Sequence, residues 1–314
     1  MGSTSSRAEP KRARGKSEET GAGDATVDSP DKTHQNSVEI RPGQSIELLK
    51  ALHILTADGR MNQDSRRKLK QVYHLTQFIE PLLREIRQDH PDIDLVDHGA
   101  GKSYLGFLLY DLFIKSTPGN HRIYGIETRD TLVKKSRALA DTCGFSNMSF
   151  LNLSVAESIV SEQLPTKVDI VTALHACNTA TDDAIQFGVK KQARVIVLVP
   201  CCQAEVAALV RKNKGTDLAK SALTEIWRHP LHTREFGSQI TNVLRCLQLE
   251  AHGYQVNVTE LVGWEHSMKN ELIIASYKNL PRRQVAERLK EVLHTFGLDE
   301  MQERFFTPVA PATT

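Results

Sequence analysis

The stretch from Ile93 to Phe113, IDLVDHGAGKSYLGFLLYDLF, constrains the rest of the chain more than any other. It opens as an apolar run, passes through an acid and two closely spaced glycines, and continues with apolar residues recurring at three and four. That order predicts a strand, a tight turn and a helix. Gly99 and Gly101 are free to take backbone angles closed to other residues, and without side chains they let a ligand lie against the main chain. The helix that follows aims its unpaired amides at the same place, which suits a phosphate or a carboxylate.

The spacing decides which glycine turn this is. A dinucleotide fingerprint needs a third glycine in step, but after Gly101 the next is Gly106, out of register. A P-loop needs a glycine five positions before Gly101, where Val96 stands, although Gly101-Lys102-Ser103 supplies its ending. The pattern that fits is acid-x-Gly-x-Gly, from Asp97 through Gly99 and Ala100 to Gly101, with the acid at the strand end. It resembles motif I of the class I S-adenosylmethionine methyltransferases. The resemblance implies that Asp97 receives the methionine ammonium, directly or through water, while the glycine backbone makes room for the cofactor. An ordinary glycine-rich turn of an α/β domain is the alternative.

Composition narrows the class. The chain has 314 residues, a net charge of +2 and five cysteines with no spacing like that of a disulfide framework. No apolar run approaches the length that spans a bilayer, and no apolar signal core opens the chain. The expectation is a soluble, cytoplasmic protein with no membrane segment. Residues 1–40 are polar and charged, with almost nothing large and apolar to bury, and read as a disordered tail. Residues 41–90 read as an N-terminal helical layer. One short apolar face runs from Ile46 to Ile54, and a longer helix is capped by Asn62 or Asp64 and carries Leu69, Val72, Tyr73, Leu75, Phe78, Ile79, Leu82, Leu83 and Ile86 at helical spacing. Arg66, Arg67, Lys68 and Lys70 in its early turns are a candidate substrate surface or simply a solvated face.

After the glycine turn the alternation continues. Arg122 to Glu127 reads as a second strand ending in an acid, and a carboxylate there suits a pair of ribose hydroxyls. An acid capping the next helix also fits. Met148 to Leu153, Val168 to Leu174 and Arg194 to Val199 are the third, fourth and fifth strands, with helices at Thr131 to Thr142 and Val155 to Glu162. Tyr254 to Val262 and Glu271 to Tyr277 form a closing hairpin. Between the fifth strand and that hairpin, about 203–253, lies a helical insertion rich in Arg, Lys and His. It reads either as a lid or polyanion groove, or as a plain helical layer over the sheet.

The fourth strand runs into His175-Ala176-Cys177-Asn178-Thr179-Ala180-Thr181-Asp182, and the fifth into Pro200-Cys201-Cys202. These segments resemble the Rossmann-like methyltransferase family that includes the tRNA acceptor-stem ribose 2'-O-methyltransferases. His175, Cys177, Ala180, Thr181 and Asp182 match its H-x-C-G-x-A-T-D pattern, while Asn178 replaces the glycine and Gln203 stands where a histidine often follows the cysteines. Class I methyltransferases often place an acid just after the third strand to bond the adenine amino group. Ser154 holds that position here.

Four readings fit the histidine and cysteines: they shape the pocket, with His175 accepting the substrate proton; a cysteine attacks a pyrimidine ring; they bind zinc, for which adjacent cysteines are poor chelators; or they are buried and inert. The resemblance implies an α/β, Rossmann-like seven-stranded methyltransferase sheet with N-terminal helices and a helical insertion. The methyltransferase domain would span 91–280, followed by a C-terminal helix and tail at 281–314. The implied activity is S-adenosylmethionine-dependent methylation of RNA, tRNA or rRNA. Cofactor contacts would come from Asp97, Gly99, Ala100, Gly101, Glu127, Ser154 and His175, catalysis from His175 and Cys177, and no metal is expected. Methylation of a protein or small molecule, or a cofactor-binding scaffold without activity, are the alternatives.

Overall fold

The computed structural model describes residues 39–174, 179–200, 204–212, 222–261, 271–280 and 283–308. The tail expected at 1–40 falls almost entirely outside these residues, as do His175, Cys177, Cys201 and Cys202. Strands β1 (Asp94–His98), β2 (Arg122–Ile126), β3 (Met148–Leu151), β4 (Ile170–Leu174), β5 (Val195–Val199), β6 (Tyr254–Glu260) and β7 (Glu271–Tyr277) make one sheet in the order β3-β2-β1-β4-β5-β7-β6. The first five are parallel, and β7 runs antiparallel to both β5 and β6. This is the seven-stranded mixed sheet that the sequence led us to expect. Because β1 is flanked by β2 on one side and β4 on the other, strand order reverses at β1. A crevice opens at such a point, at the carboxyl ends of the strands.

Helices cover both faces. Alternation along β1 sends Leu95 to one side and Val96 to the other, so two cores form. On the first side lie α1 (Ile46–Ala51), α2 (Gln63–Asp89), α3 (Tyr104–Leu112) and α4 (Asp130–Cys143). On the second lie α5 (Val155–Val160), α6 (Thr179–Lys190) and the end of α8 (Pro230–Ala251). Every residue of β5 is buried, as expected of a parallel strand sandwiched by helices.

The N-terminal layer forms as its pattern dictates. Asn62 caps α2, its Oδ1 accepting the Ser65 amide at 2.8 Å. Asp64 instead pairs with Arg67 and Lys68. The helix continues through Pro81, whose ring removes one backbone bond, because Ile79, Leu83 and Ile86 are all buried against the sheet's first face. In front of it, the Ser45 amide donates to the buried carboxylate of Asp111, which ties α1 to α3.

The insertion is a helical layer. Together with α7 (Glu205–Lys212) and α9 (Arg283–Thr295), α8 builds a third core around Val206, Val210, Trp227, Leu244, Leu289 and Leu293. Two of its arginines are taken up locally, Arg228 by Glu225 and Arg234 by Glu235.

Candidate active site

The chain between β1 and α3 turns through three left-handed residues, Gly99, Gly101 and Ser103, with φ of 65°, 58° and 48°. The first two are glycines, for which this costs little. Ser103 carries a side chain there, an arrangement held by its surroundings: it is fully buried and its hydroxyl donates to Asp97 Oδ2 at 3.0 Å.

Asp97 is the hub of this turn. Thr172 of β4 donates to its Oδ1 at 2.9 Å, and the Gly106 amide adds a further bond from the first turn of α3. Burial pushes its pKa up to about 6, against the pull of those three donors. Gly106 makes the cluster possible: a β-carbon there would lie 2.6 Å from Ser103 Oγ and 3.4 Å from Asp97 Oδ2. The glycine that is out of step with a dinucleotide fingerprint thus lets α3 pack closely on β1. Gly106→Val is expected to cost about 1–3 kcal/mol by overpacking, read as a lower thermal midpoint. An unchanged midpoint would mean that Ser103 can move off Asp97 without loss.

Glu127 follows β2 directly and is 7% exposed. Its Oε1 accepts the Arg129 amide at 3.0 Å and Arg129 Nε at 2.9 Å, while Oε2 accepts Arg129 Nη2 at 2.9 Å and the Gly101 amide at 2.8 Å. The Arg129 fork, opposed by burial, holds its pKa down at about 2. One carboxylate therefore ties the second strand to the glycine turn. Ser154, the residue read as an adenine contact, caps α5. Its Oγ accepts the Glu157 amide, and the Glu157 carboxylate accepts the Ser154 amide in return. The spacing Ser154-x-x-Glu157 is legible in the sequence as a capping box. β3 stops at Leu151, short of the Leu153 expected, and the Asn152 side-chain amide beyond it donates to the Glu127 carbonyl at 2.9 Å.

A cavity of about 470 Å³ opens beside the turn, within the range of small-molecule sites. Asp97, Gly99, Ala100 and Gly101 line it on one side, and Lys68, Gln71, Val72, Leu75 and Thr76 of α2 on the other. Leu105, Leu108 and Leu174 make an apolar wall, and Lys102 and Arg129 add cationic groups. Cavities of about 520 and 1070 Å³ lie elsewhere and do not touch the glycine turn. Position, and not size, selects the smaller one, since of these three it is the one that lies against the glycine turn, where strand order reverses.

Leu174, just before His175 in the sequence, and Val199, two residues before Cys201, are register partners in β4 and β5. Sequence reading did not find the partner of Asp182. This aspartate is 7% exposed in the first turn of α6, and the fully buried Arg245 of α8 donates to it through Nε at 2.5 Å.

Residues 67–209 match a family model described as a methyltransferase domain. Over that stretch the chain is similar to a methyltransferase domain. The match covers β1 to β5 and the glycine turn and reaches into α2 and α7. Among curated proteins, the glutathione S-transferase C-terminal domain-containing proteins of Bos taurus and Homo sapiens are 24% and 23% identical over 235 residues, 69% of this chain and 34% of theirs. The chain thus spans about a third of the length of these relatives. Solved structures with a similar path include the Methanococcus jannaschii fibrillarin pre-rRNA processing protein (12% identity, 60% of this chain and 68% of that one, TM-score 0.39). Another is the N-terminal domain of human METTL16 in complex with SAH (11% identity, 64% and 68%, TM-score 0.38). Among the described residues no helix is long and apolar enough to cross a membrane.

Proposed function

We propose that the methyltransferase domain binds S-adenosylmethionine in the cavity beside Gly99 and Gly101 and transfers its methyl group to RNA. The observation that carries the cofactor site is the placement of Asp97 and Glu127. They stand at the carboxyl ends of adjacent strands, flanking a turn whose glycines leave the backbone bare. In this reading Asp97 takes the ammonium of the methionine part, for which its carboxylate keeps an acceptor position beyond its three donors. Glu127 takes the ribose diol. The leucine wall and α2 exclude water from the rest. Ser154, committed to its cap, contributes to the adenine end through the position of α5.

Bound in this way, the cofactor supplies a methyl group already activated by a sulfonium, so the protein's task is alignment. His175, one residue beyond the cavity-lining Leu174, is assigned to accept the proton of the attacking group, with Cys177 shaping the pocket. The substrate reading draws on the sequence resemblance and on charge. Lys68, Lys102 and Arg129 line the cavity, and Arg66 and Lys70 are exposed on α2. Among the described residues no acidic group pairs with Arg66, Lys70 or Lys102. Such a rim suits phosphates.

The test is transfer of labelled methyl groups from S-adenosylmethionine into separated RNA, protein and small-molecule fractions. Label in RNA supports the proposal. Label in another fraction keeps the enzyme and overturns its substrate, and cofactor binding without label in any fraction favours a scaffold. Reversing both rim charges, Arg66→Glu with Lys70→Glu, is expected to weaken RNA binding. The slope of log affinity against log salt should flatten by about 0.7–0.9 for each phosphate that is no longer neutralised.

A further inference from the structure

The carboxylate assigned to the ribose is already full. A carboxylate offers about four acceptor positions, and Glu127 has four donors within 3.0 Å. Two are backbone amides, of Gly101 and Arg129, fixed by the turns that carry them. The other two are Nε and Nη2 of one arginine, one on each oxygen, from a side chain that is 65% exposed. A ribose diol needs that same pair of positions, one on each oxygen. The guanidinium stands over the glycine turn as well, since a β-carbon on Gly101 would lie 3.7 Å from Arg129 Nη2.

We propose that Arg129 occupies the ribose position of the free protein, that the cofactor displaces it, and that the released guanidinium then serves the anionic substrate at the cavity mouth. The second step rests on the RNA reading above. The backbone amides cannot leave without moving the glycine turn or the start of α4, so the exposed side chain is the donor that yields. Once released, it remains tethered two residues from Glu127, at the rim it shares with Lys68 and Lys102. Arg129 then faces a negatively charged partner only after the cofactor is in place. Cofactor binding therefore strengthens substrate binding, and linkage requires the reverse as well.

The experiment is binding calorimetry with S-adenosylhomocysteine on the full chain, for the wild type, Arg129→Ala and Arg129→Lys. Total tRNA binding is then measured with and without that ligand. Removing a competing exposed ion pair should tighten S-adenosylhomocysteine binding about twofold to fivefold in Arg129→Ala. Arg129→Lys, which cannot fork across both oxygens, should fall between. Wild-type tRNA affinity should rise about threefold or more with the ligand present, and Arg129→Ala should lose that gain. If the wild type binds S-adenosylhomocysteine but Arg129→Ala binds it equally or more weakly, Arg129 is no competitor and this proposal falls alone. If the wild type does not bind it, the cofactor site falls too. Binding of tRNA that ignores the ligand, or no binding of tRNA, overturns the coupling.

Discussion

Asp182→Ala is expected to destabilise the protein by about 3–5 kcal/mol, the cost of leaving a buried charge without its partner. Arg245 is fully buried and cannot shed its proton. Its Nε donates to Asp182 Oδ1, and its Nη1 reaches Asn242 Oδ1 at 3.3 Å. Asn242 in turn bonds Glu271 at 2.6 Å. The pair thus fastens α6 to α8, and Asn242 carries the network on from α8 to β7, the strand between β5 and β6. Losing the carboxylate removes the charge that faces the guanidinium from α6. Replacing both partners by apolar residues of similar size, Asp182→Leu with Arg245→Met, should recover most of the loss, because the dehydration of two charges offsets much of their attraction. Denaturant titrations of the two single variants and the double variant measure this as a coupling energy. If Asp182→Ala instead kept its stability and lost methyl transfer alone, the aspartate would belong to the chemistry.

That prediction also shows where sequence reading stops. Asp182 was visible as the last residue of the H-x-C-G-x-A-T-D pattern, yet Arg245 lies 63 positions further on, among the other basic residues of the insertion. Nothing in its neighbourhood marks it as buried, and only the packing of α8 against α6 does so. Local features, by contrast, were legible. The strand, glycine turn and helix at Ile93–Phe113, a cap at Asn62 or Asp64 and the alternation of strands with helices all follow from spacing over a few residues. Pro81 was a fair test, since proline argues against a helix interior, but the apolar face on both sides of it outweighed the missing hydrogen bond. Around the cavity, Asp97 and the glycines were readable because a bare backbone beside an acid has a sequence signature. The Arg129 fork on Glu127 and the service of Gly106 to Ser103 join side chains and elements across the fold, and have none.

The second large effect is a pH dependence that the wild type conceals. His98 follows Asp97 in β1, so the two side chains go to opposite faces of the sheet. The imidazole is 5% exposed and lies against Phe187, ring centroids 5.4 Å apart. Neither of its nitrogens has a hydrogen-bond partner among the described residues. Burial lowers its pKa to about 4, opposed by the charge of Glu127. As pH falls from the ordinary histidine value near 6.5 towards 4, the unfolded chain takes up a proton that the native one refuses, so stability falls by about 3 kcal/mol. Asp97 does the opposite. Its native pKa of about 6 lies above the ordinary 3.8. On the same descent the native state takes the proton first, and stability rises by about 3 kcal/mol. The two contributions nearly cancel in the wild type. His98→Phe should uncover the aspartate and become more stable, relative to wild type, at pH 4.5 than at pH 7.5. Asp97→Asn should uncover the histidine and show the reverse. Urea denaturation at the two pH values checks this, and parallel profiles for the three proteins would reject both burials. Cofactor binding gives an independent reading of the same group. An ammonium needs Asp97 ionised, so wild-type affinity for S-adenosylmethionine should fall about tenfold for each pH unit below about 6, a slope that Asp97→Asn, with nothing left to titrate there, should lack.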